Sequence, residues 1–459
     1  MVLGIIVLIA YAALMIGATL IFTKKARDSE SFHVADRNIS TIISALSIAA
    51  TWIWAPSLFV SGEKAYTSGL PGFFWFLVPN VLCLMLFIPF AKRMRARFPS
   101  GITLTGFMTK TYQSDKVKGV YSFQLGALAV LSTAVQLLAG SKLLAMMTGL
   151  PFWFLTIVLA LIAYSYSQFS GIRASIATDV VQLILILAGV AIIVPMVFGR
   201  LGGAGALISG LGSVSGNFKA LFDKPGLQVF FAFGLPTTIG LLSGPFGDQS
   251  FWQRAFSVNG KGLSRAFFIG ALVFALVPLG MGSLGFLAAG SGFAAADPGM
   301  VNFELIKSLL PAWVMVPFLF MILSGLLSTV DSNLCAAASM TTDLKSGSTI
   351  QKSRQAMLLL LLVGIGIANI PGLTVTMLFL FYGTLRATTL LPTMLTLLNK
   401  RLSARGVYIG VLASLCLGLP LFAYGSLTGS AAFKTIGSLT SVLTSGIVAL
   451  ALSRKEAQA

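Results

Sequence analysis

The sequence predicts an all-α polytopic membrane protein, and three observations carry that reading. Of 459 residues, 56% are hydrophobic and only 10% charged, and the mean hydropathy is +0.92. Apolar runs recur from end to end, each near the roughly 20 residues that cross a hydrocarbon core of ~30 Å at 1.5 Å per residue. The basic residues gather in alternate connections. With the N-terminus outside and the C-terminus inside, 23 of the 31 Lys and Arg fall on the cytoplasmic side, the imbalance expected of a positive-inside topology.

About 13 spans follow in order: 2–22, 40–62, 70–91, 119–148, 151–169, 174–199, 226–250, 264–290, 311–342, 355–370, 373–398, 406–424 and 432–452. The first run precedes Lys24, Lys25 and Arg27 and lacks a basic leader, so it reads as an uncleaved helix. Two later spans carry helix breakers at their centres. Span 40–62 holds Pro56, and span 226–250 holds Pro236, Gly240, Gly244 and Pro245. Their offset of five spans is odd, so the second helix runs opposite to the first. That is the pattern of an inverted five-plus-five repeat whose broken first helices face one central site. The organisation is then 1–39, an extra helix and basic loop; 40–199, the first repeat; 200–225, an outer loop; 226–398, the second repeat; and 399–459, two further helices and a tail. Outer loops 200–225 and 291–310, rich in Gly, Ala and Ser, are lids or flexible joins.

The net charge of +18 is spread over every second loop instead of one domain, which points to topology and anionic lipid, not to nucleic acid. Cys83, Cys335 and Cys416 all lie in spans, and His33 is the one histidine; neither a disulfide framework nor histidine-based metal chemistry is expected. No nucleophile–base set or phosphate loop supports an enzyme. The polar residues inside the spans are therefore the functional candidates. Ser328, Thr329, Asp331 and Ser332 lie deep in the ninth span, where an oxygen-rich cluster suits a hard cation. Asp331 and Arg386 are both near mid-membrane; the reading favoured here is a buried pair between them, the other being that Arg386 meets an anionic solute.

Four motifs, Phe32-His33-Val34-Ala35-Asp36-Arg37, Gly171 to Ala174 leading to Thr178 to Gln182, Gln249 to Arg254 (QSFWQR), and Ser328 to Ser332 followed by Thr342-Asp343, together resemble the sodium/solute symporter family from about residue 30 to 400. The resemblance implies the inverted-repeat fold of the leucine transporter. It implies a Na⁺ site made by the carbonyls of Ala50, Ile53 and Gly325 and the hydroxyls of Ser328 and Thr329. Asp179 aligns with an acid that in some members joins a second cation site or exit relay, with Ser332 as partner and Asp331 as an extra charge. An equal account of Asp179 is that it reaches headgroups or Arg173.

The solute pocket is expected among Trp54, Ser57, Ser61, Phe74, Asn80, Gln136, Asp248, Gln249 and Tyr382, with Arg386 as a further candidate. Trp52 stands where some amino-acid-carrying members have an acid, so its side chain offers a cation nothing. The segment ATWIWA at 50–55, with Ala65-Tyr66 and Gly72 to Trp75, looks most like the urea-active branch, in which the driving ion can be H⁺. The resemblance thus implies a multi-pass protein of a bacterial-type cell membrane that couples Na⁺, or H⁺, to import of a small polar solute, urea or a similar amide. Carriers of amino acids, sugars or organic anions, a passive channel and a transport-like sensor are the alternatives. A sensor would add a signalling domain, whereas this chain closes on a short charged tail at Ala459.

Overall fold

A computed structural model describes residues 2–23, 26, 28–344, 347 and 349–458; Lys24, Lys25, Arg27 and Lys345 of the charge map lie outside the described residues. In chain order the helices are α1 (Val2–Phe22), α2 (Ser29–Val34), α3 (Thr41–Trp52), α4 (Ala55–Leu58), α5 (Val60–Arg97), α6 (Leu104–Tyr112), α7 (Asp115–Thr148), α8 (Phe152–Ser170), α9 (Ile172–Arg200) and α10 (Gly203–Gly210). There follow α11 (Lys224–Val229), a π turn (Phe230–Gly234), α12 (Leu235–Leu242), α13 (Gly244–Gly247), α14 (Gln249–Ser257), α15 (Leu263–Gly290), α16 (Val301–Leu309), α17 (Met315–Met340), α18 (Ile350–Ala368), α19 (Val375–Ala387), α20 (Leu390–Leu397), α21 (Ala404–Leu427) and α22 (Ala431–Gln458). Among the described residues, 12 helices are long and apolar enough to cross a membrane. The remaining expected span, 40–62, is divided among α3, α4 and the start of α5.

The two interruptions fall close to the prolines, but not on them. In the first, Ile53 and Trp54 leave helical geometry and Pro56 sits in the opening turn of α4, where a missing N–H costs nothing. In the second, Pro236 and Gly240 stay helical within α12, because the π turn before them absorbs the ring of Pro236. The helix gives way only beyond Leu242, first to the single turn of α13 and then to Asp248, which takes β geometry at φ −116° and ψ 114°. The broken helix therefore continues to Ser257, seven residues beyond the expected end of span 226–250. Arg254, which lies beyond the expected end of that span, is consequently inside the protein and 2% exposed.

Close packing sets the two broken helices against their neighbours. A Cβ at Gly240 would lie 2.6 Å from Cα of Gly383, so α12 and α19 touch backbone to backbone. On the outer side, loop 200–225 is strapped to the end of the first broken helix by Leu70 N–H to Leu211 O (2.8 Å) and Val214 N–H to Tyr66 O (2.9 Å). The Tyr66 hydroxyl donates to Phe293 O (2.9 Å) in loop 291–310. Glu63 accepts from Thr376 of α19 (2.8 Å). Both long outer loops thus act as fastened covers, not loose joins. Lys142 of α7 pairs with Asp297 of the second loop at 2.5 Å.

The turn between the first broken helix and the rest of α5 is made by Gly69, at φ +56° and ψ −149°, with Phe218 O only 2.5 Å from where a Cβ would stand. An L-residue is excluded there on both counts. Gly69→Ala is expected to destabilise the protein by about 1–3 kcal/mol, read as a lower Tm in detergent. Gly126→Ala, where the nearest atom is a methionine methyl at 3.9 Å, should leave Tm unchanged.

Candidate functional site

The gap at Ile53 and Trp54 exposes backbone groups at the centre of the bundle, and each has a defined partner. Ala55 N–H, orphaned by the restart of the helix, donates to Gln136 Oε1 of α7 at 2.7 Å. Gln136, expected in the solute pocket, is thus the cap of α4. The Trp52 carbonyl receives Ser57 Oγ (3.4 Å), and Ser61 Oγ donates to Ser57 O (2.7 Å). Both serines serve their own helix and neither points into a pocket.

Beside the gap, Thr329 Oγ1 of α17 lies 3.3 Å from the carbonyls of both Thr51 and Gly325. A Cβ on Gly325 would lie 2.7 Å from Leu58 Cδ1 and 3.2 Å from Ile53 O, so the glycine lets the broken helix pack close against α17. Carbonyls of Thr51, Ile53 and Gly325 and the Thr329 hydroxyl therefore converge across the two repeats. Ala50 O is turned to Ile53 N–H (3.1 Å) and Thr51 O takes the place next to Thr329. Ser328 Oγ is one residue away but donates to Asp179 Oδ1 at 2.6 Å. Uncharged carbonyl and hydroxyl oxygens are the ligand type that a hard cation accepts.

Below this lies a fully buried polar cluster. Asp179 Oδ2 accepts from Ser47 Oγ (2.6 Å) and from Arg254 Nη2 (2.8 Å). Arg254 reaches Ser47 Oγ through Nε (2.9 Å) and Ser332 Oγ through Nη2 (2.7 Å). Arg254 and Asp179 are 1% and 0% exposed as side chains. Asp179 therefore touches neither headgroups nor Arg173, which pairs with Asp36. Ser332 meets Asp179 only through the guanidinium. Asp331 is held by Ser175 Oγ (2.7 Å) and Thr178 Oγ1 (3.3 Å) of α9.

A second cluster lies at the other break. Arg386 does not pair with Asp331: its Nη2 is 3.2 Å from Asp248 Oδ2 and also donates to the Tyr382 hydroxyl, which donates to Asp248 Oδ2 at 2.9 Å. Asp248 stands at the interruption between α13 and α14, and that interruption faces Tyr382 and Arg386 of α19. Asp248 Oδ1 meanwhile accepts Ser250 N–H (3.0 Å) and Oγ–H (2.7 Å), capping α14. The guanidinium is walled by aromatic rings, 3.7 Å from the Tyr382 centroid, 5.2 Å from Trp52 and 5.3 Å from Trp54.

Several buried polar atoms here make no hydrogen bond within the described residues: Arg386 Nε and Nη1, Trp54 Nε1, Asn80 Oδ1, Thr237 Oγ1 and both amide atoms of Gln124. Gln124 Nε2 and the Arg386 stem both press on Gly247, and Arg386 Nη1 on Gly244. Two expected pocket residues lie elsewhere. Phe74 packs on Trp75 and, through it, Phe230 at the margin of the bundle. Gln249 ties Leu104 N, Ile102 O and Ser339 together on the cytoplasmic side. Sequence reasoning missed Trp52, Gln124 and Thr237, although an unexplained tryptophan or glutamine in an apolar span is itself a signal.

The model of the sodium:solute symporter family matches residues 32–414. The chain belongs to that family. Among solved structures, a Na⁺-coupled sialic acid symporter in a substrate-bound outward-open state superposes with TM-score 0.75 over 98% of both chains at 18% identity. The nucleobase-cation-symport-1 family transporter MHP1 gives 0.61 over 95% of this chain and 96% of its own. This family member therefore has the inverted-repeat fold of those transporters. In sequence it is 23% identical to the urea-proton symporter DUR3 of Oryza sativa subsp. japonica over 93% of this chain. It is 24% identical to the probable urea active transporter 1 of Schizosaccharomyces pombe over 61% of this chain, and 24% identical to the sodium/pantothenate symporter of Escherichia coli over 88%. The chain spans 66% of the rice protein, 44% of the fission-yeast protein and 87% of the bacterial one.

Breaking the Asp248–Arg386 pair leaves one buried charge without its partner. Asp248→Asn and Arg386→Met are each expected to destabilise by about 3–5 kcal/mol, and the double variant by clearly less than their sum. Thermal unfolding of all four proteins closes that cycle.

Proposed function

We propose that the chain is a secondary active symporter that draws a small, neutral, amide-bearing solute, urea in the first instance, into the cell with Na⁺ by alternating access. The observation that carries the solute reading is the charge balance of the second cluster. Asp248 neutralises Arg386 within the pocket, so an anionic solute would meet a spent cation, whereas a neutral carbonyl meets unused donors on Arg386 and Trp54. Unused acceptors on Asn80 and Gln124 suit the amide N–H groups of the same molecule. Trp52 and Trp54, 6.2 Å apart and nearly parallel, provide faces for a flat solute. The names of the urea-transporting relatives support the same class.

For the ion, the proposal takes the carbonyls of Thr51, Ile53 and Gly325 with the Thr329 and Ser328 hydroxyls as the Na⁺ ligands. They belong to α17 in one repeat and the first broken helix in the other. A cation bound by both favours the arrangement in which they touch, and by linkage raises the population that takes up solute. The membership in a sodium:solute family supports Na⁺. A proton is the second reading, favoured by the rice relative's description as a urea-proton symporter.

The test is uptake of labelled urea into proteoliposomes. An inward Na⁺ gradient is expected to drive saturable accumulation, and Thr329→Ala to raise the Na⁺ concentration for half-maximal uptake by about tenfold, the effect of losing roughly 1.4 kcal/mol. Equal uptake with and without Na⁺, accompanied by accumulation under an inward proton gradient, would transfer the ion assignment to H⁺. Accumulation of pantothenate or an amino acid, with none of urea, would overturn the solute.

A further inference from the structure

The cluster of Ser47, Asp179, Arg254, Ser328 and Ser332 has no share in holding solute, yet it joins four helices at the cytoplasmic half of the bundle. Ser47 belongs to α3, Asp179 to α9, Arg254 to α14 and Ser332 to α17. We propose that Arg254 is the latch that keeps the cytoplasmic half closed, and that Ser328 and Asp179 connect this latch to the cation site. The inference rests on the cation site of the preceding section.

Counting protons gives the connection. A serine hydroxyl has one hydrogen, and that of Ser328 is committed to Asp179 Oδ1 at 2.6 Å. Its lone pairs are therefore the part left to face a cation, and Asp179 orients them as an outer carboxylate orients a metal ligand. A cation on the Ser328 oxygen polarises the O–H bond and strengthens its hold on Asp179. Asp179 is in turn held where Arg254 meets it, with the guanidinium spread over Asp179, Ser47, Ser332 and, through Nη1, Ser250 O at 3.3 Å. To open the cytoplasmic half, α14 has to part from α9 and α17. That separates Arg254 from Asp179 and lets water in. Ion binding and cytoplasmic closure are thus linked through three side chains, and each favours the other.

Hydrogen exchange of the purified full chain in nanodiscs tests this without reference to the solute. In the wild type, Na⁺ is expected to slow exchange in Gln249–Ser257 and Thr41–Trp52 by about tenfold. In Arg254→Met both segments should exchange fast with or without Na⁺, while Na⁺ binding, followed by intrinsic tryptophan fluorescence, persists with weakened affinity. Arg254→Lys, which keeps the charge but loses the fork, should restore part of the protection. Should Arg254→Met not fold, Asp179→Asn/Arg254→Met removes both buried charges and should show the same loss. Wild-type protection by Na⁺ in either Met variant would overturn the latch. If the wild type binds no Na⁺, the cation site fails, and the sodium-free comparison of Arg254→Met with the wild type still decides the latch: equal exchange rates refute it.

Discussion

Backbone N–H and C=O groups cannot be left bare at the middle of a bilayer, and the rest of this structure follows from where the chain breaks that rule. At Ile53 and Trp54, and again at Asp248, the helix is interrupted. The protein answers with specific partners: Gln136 for Ala55 N–H, Asp248 for the start of α14, and a cluster of carbonyls beside Thr329. Backbone freed from a helix is tolerable only where protein or a passing solute meets it. The interruptions thus concentrate unsatisfied polarity at one level of the membrane, and the chemistry of transport is built on that concentration.

Charge is rationed in the same spirit. The two arginines that lie inside the bundle, Arg254 and Arg386, each sit against one aspartate, and each pair spans elements distant in sequence. A buried pair contributes little to stability over an apolar alternative, because desolvation offsets the attraction. Its value is geometric: a pair exists only when the elements that bear it are in register. Around Arg386 three aromatic rings replace much of the lost hydration, whereas around Arg254 hydroxyls do so.

Helix content, the number of crossings and the paired interruptions were legible from residue order alone, since they depend on local composition and on the spacing of prolines and glycines. What was not legible depends on contacts between distant residues. Arg254 lies 75 positions from Asp179, and nothing in the order of residues separates it from a loop arginine once span 226–250 is ended too early. Asp331 and Arg386 looked like partners because both lie at the same depth, but depth leaves the direction around each helix undetermined. Ser57, Ser61 and Gln249 were read as solute contacts from their polarity, and each turned out to satisfy nearby backbone. His33 shows the same limit from the other side: burial lowers its pKa to about 4, so it remains neutral above that and adds no charge near α2.

Asp248 has a mechanical consequence. One of its oxygens is fastened to the first turn of α14 and the other to the Tyr382–Arg386 pair. A carboxylate is rigid and flat, so its two oxygens cannot move independently. The start of α14 and the Tyr382–Arg386 pair of α19 are therefore held in a fixed relation through a single side chain.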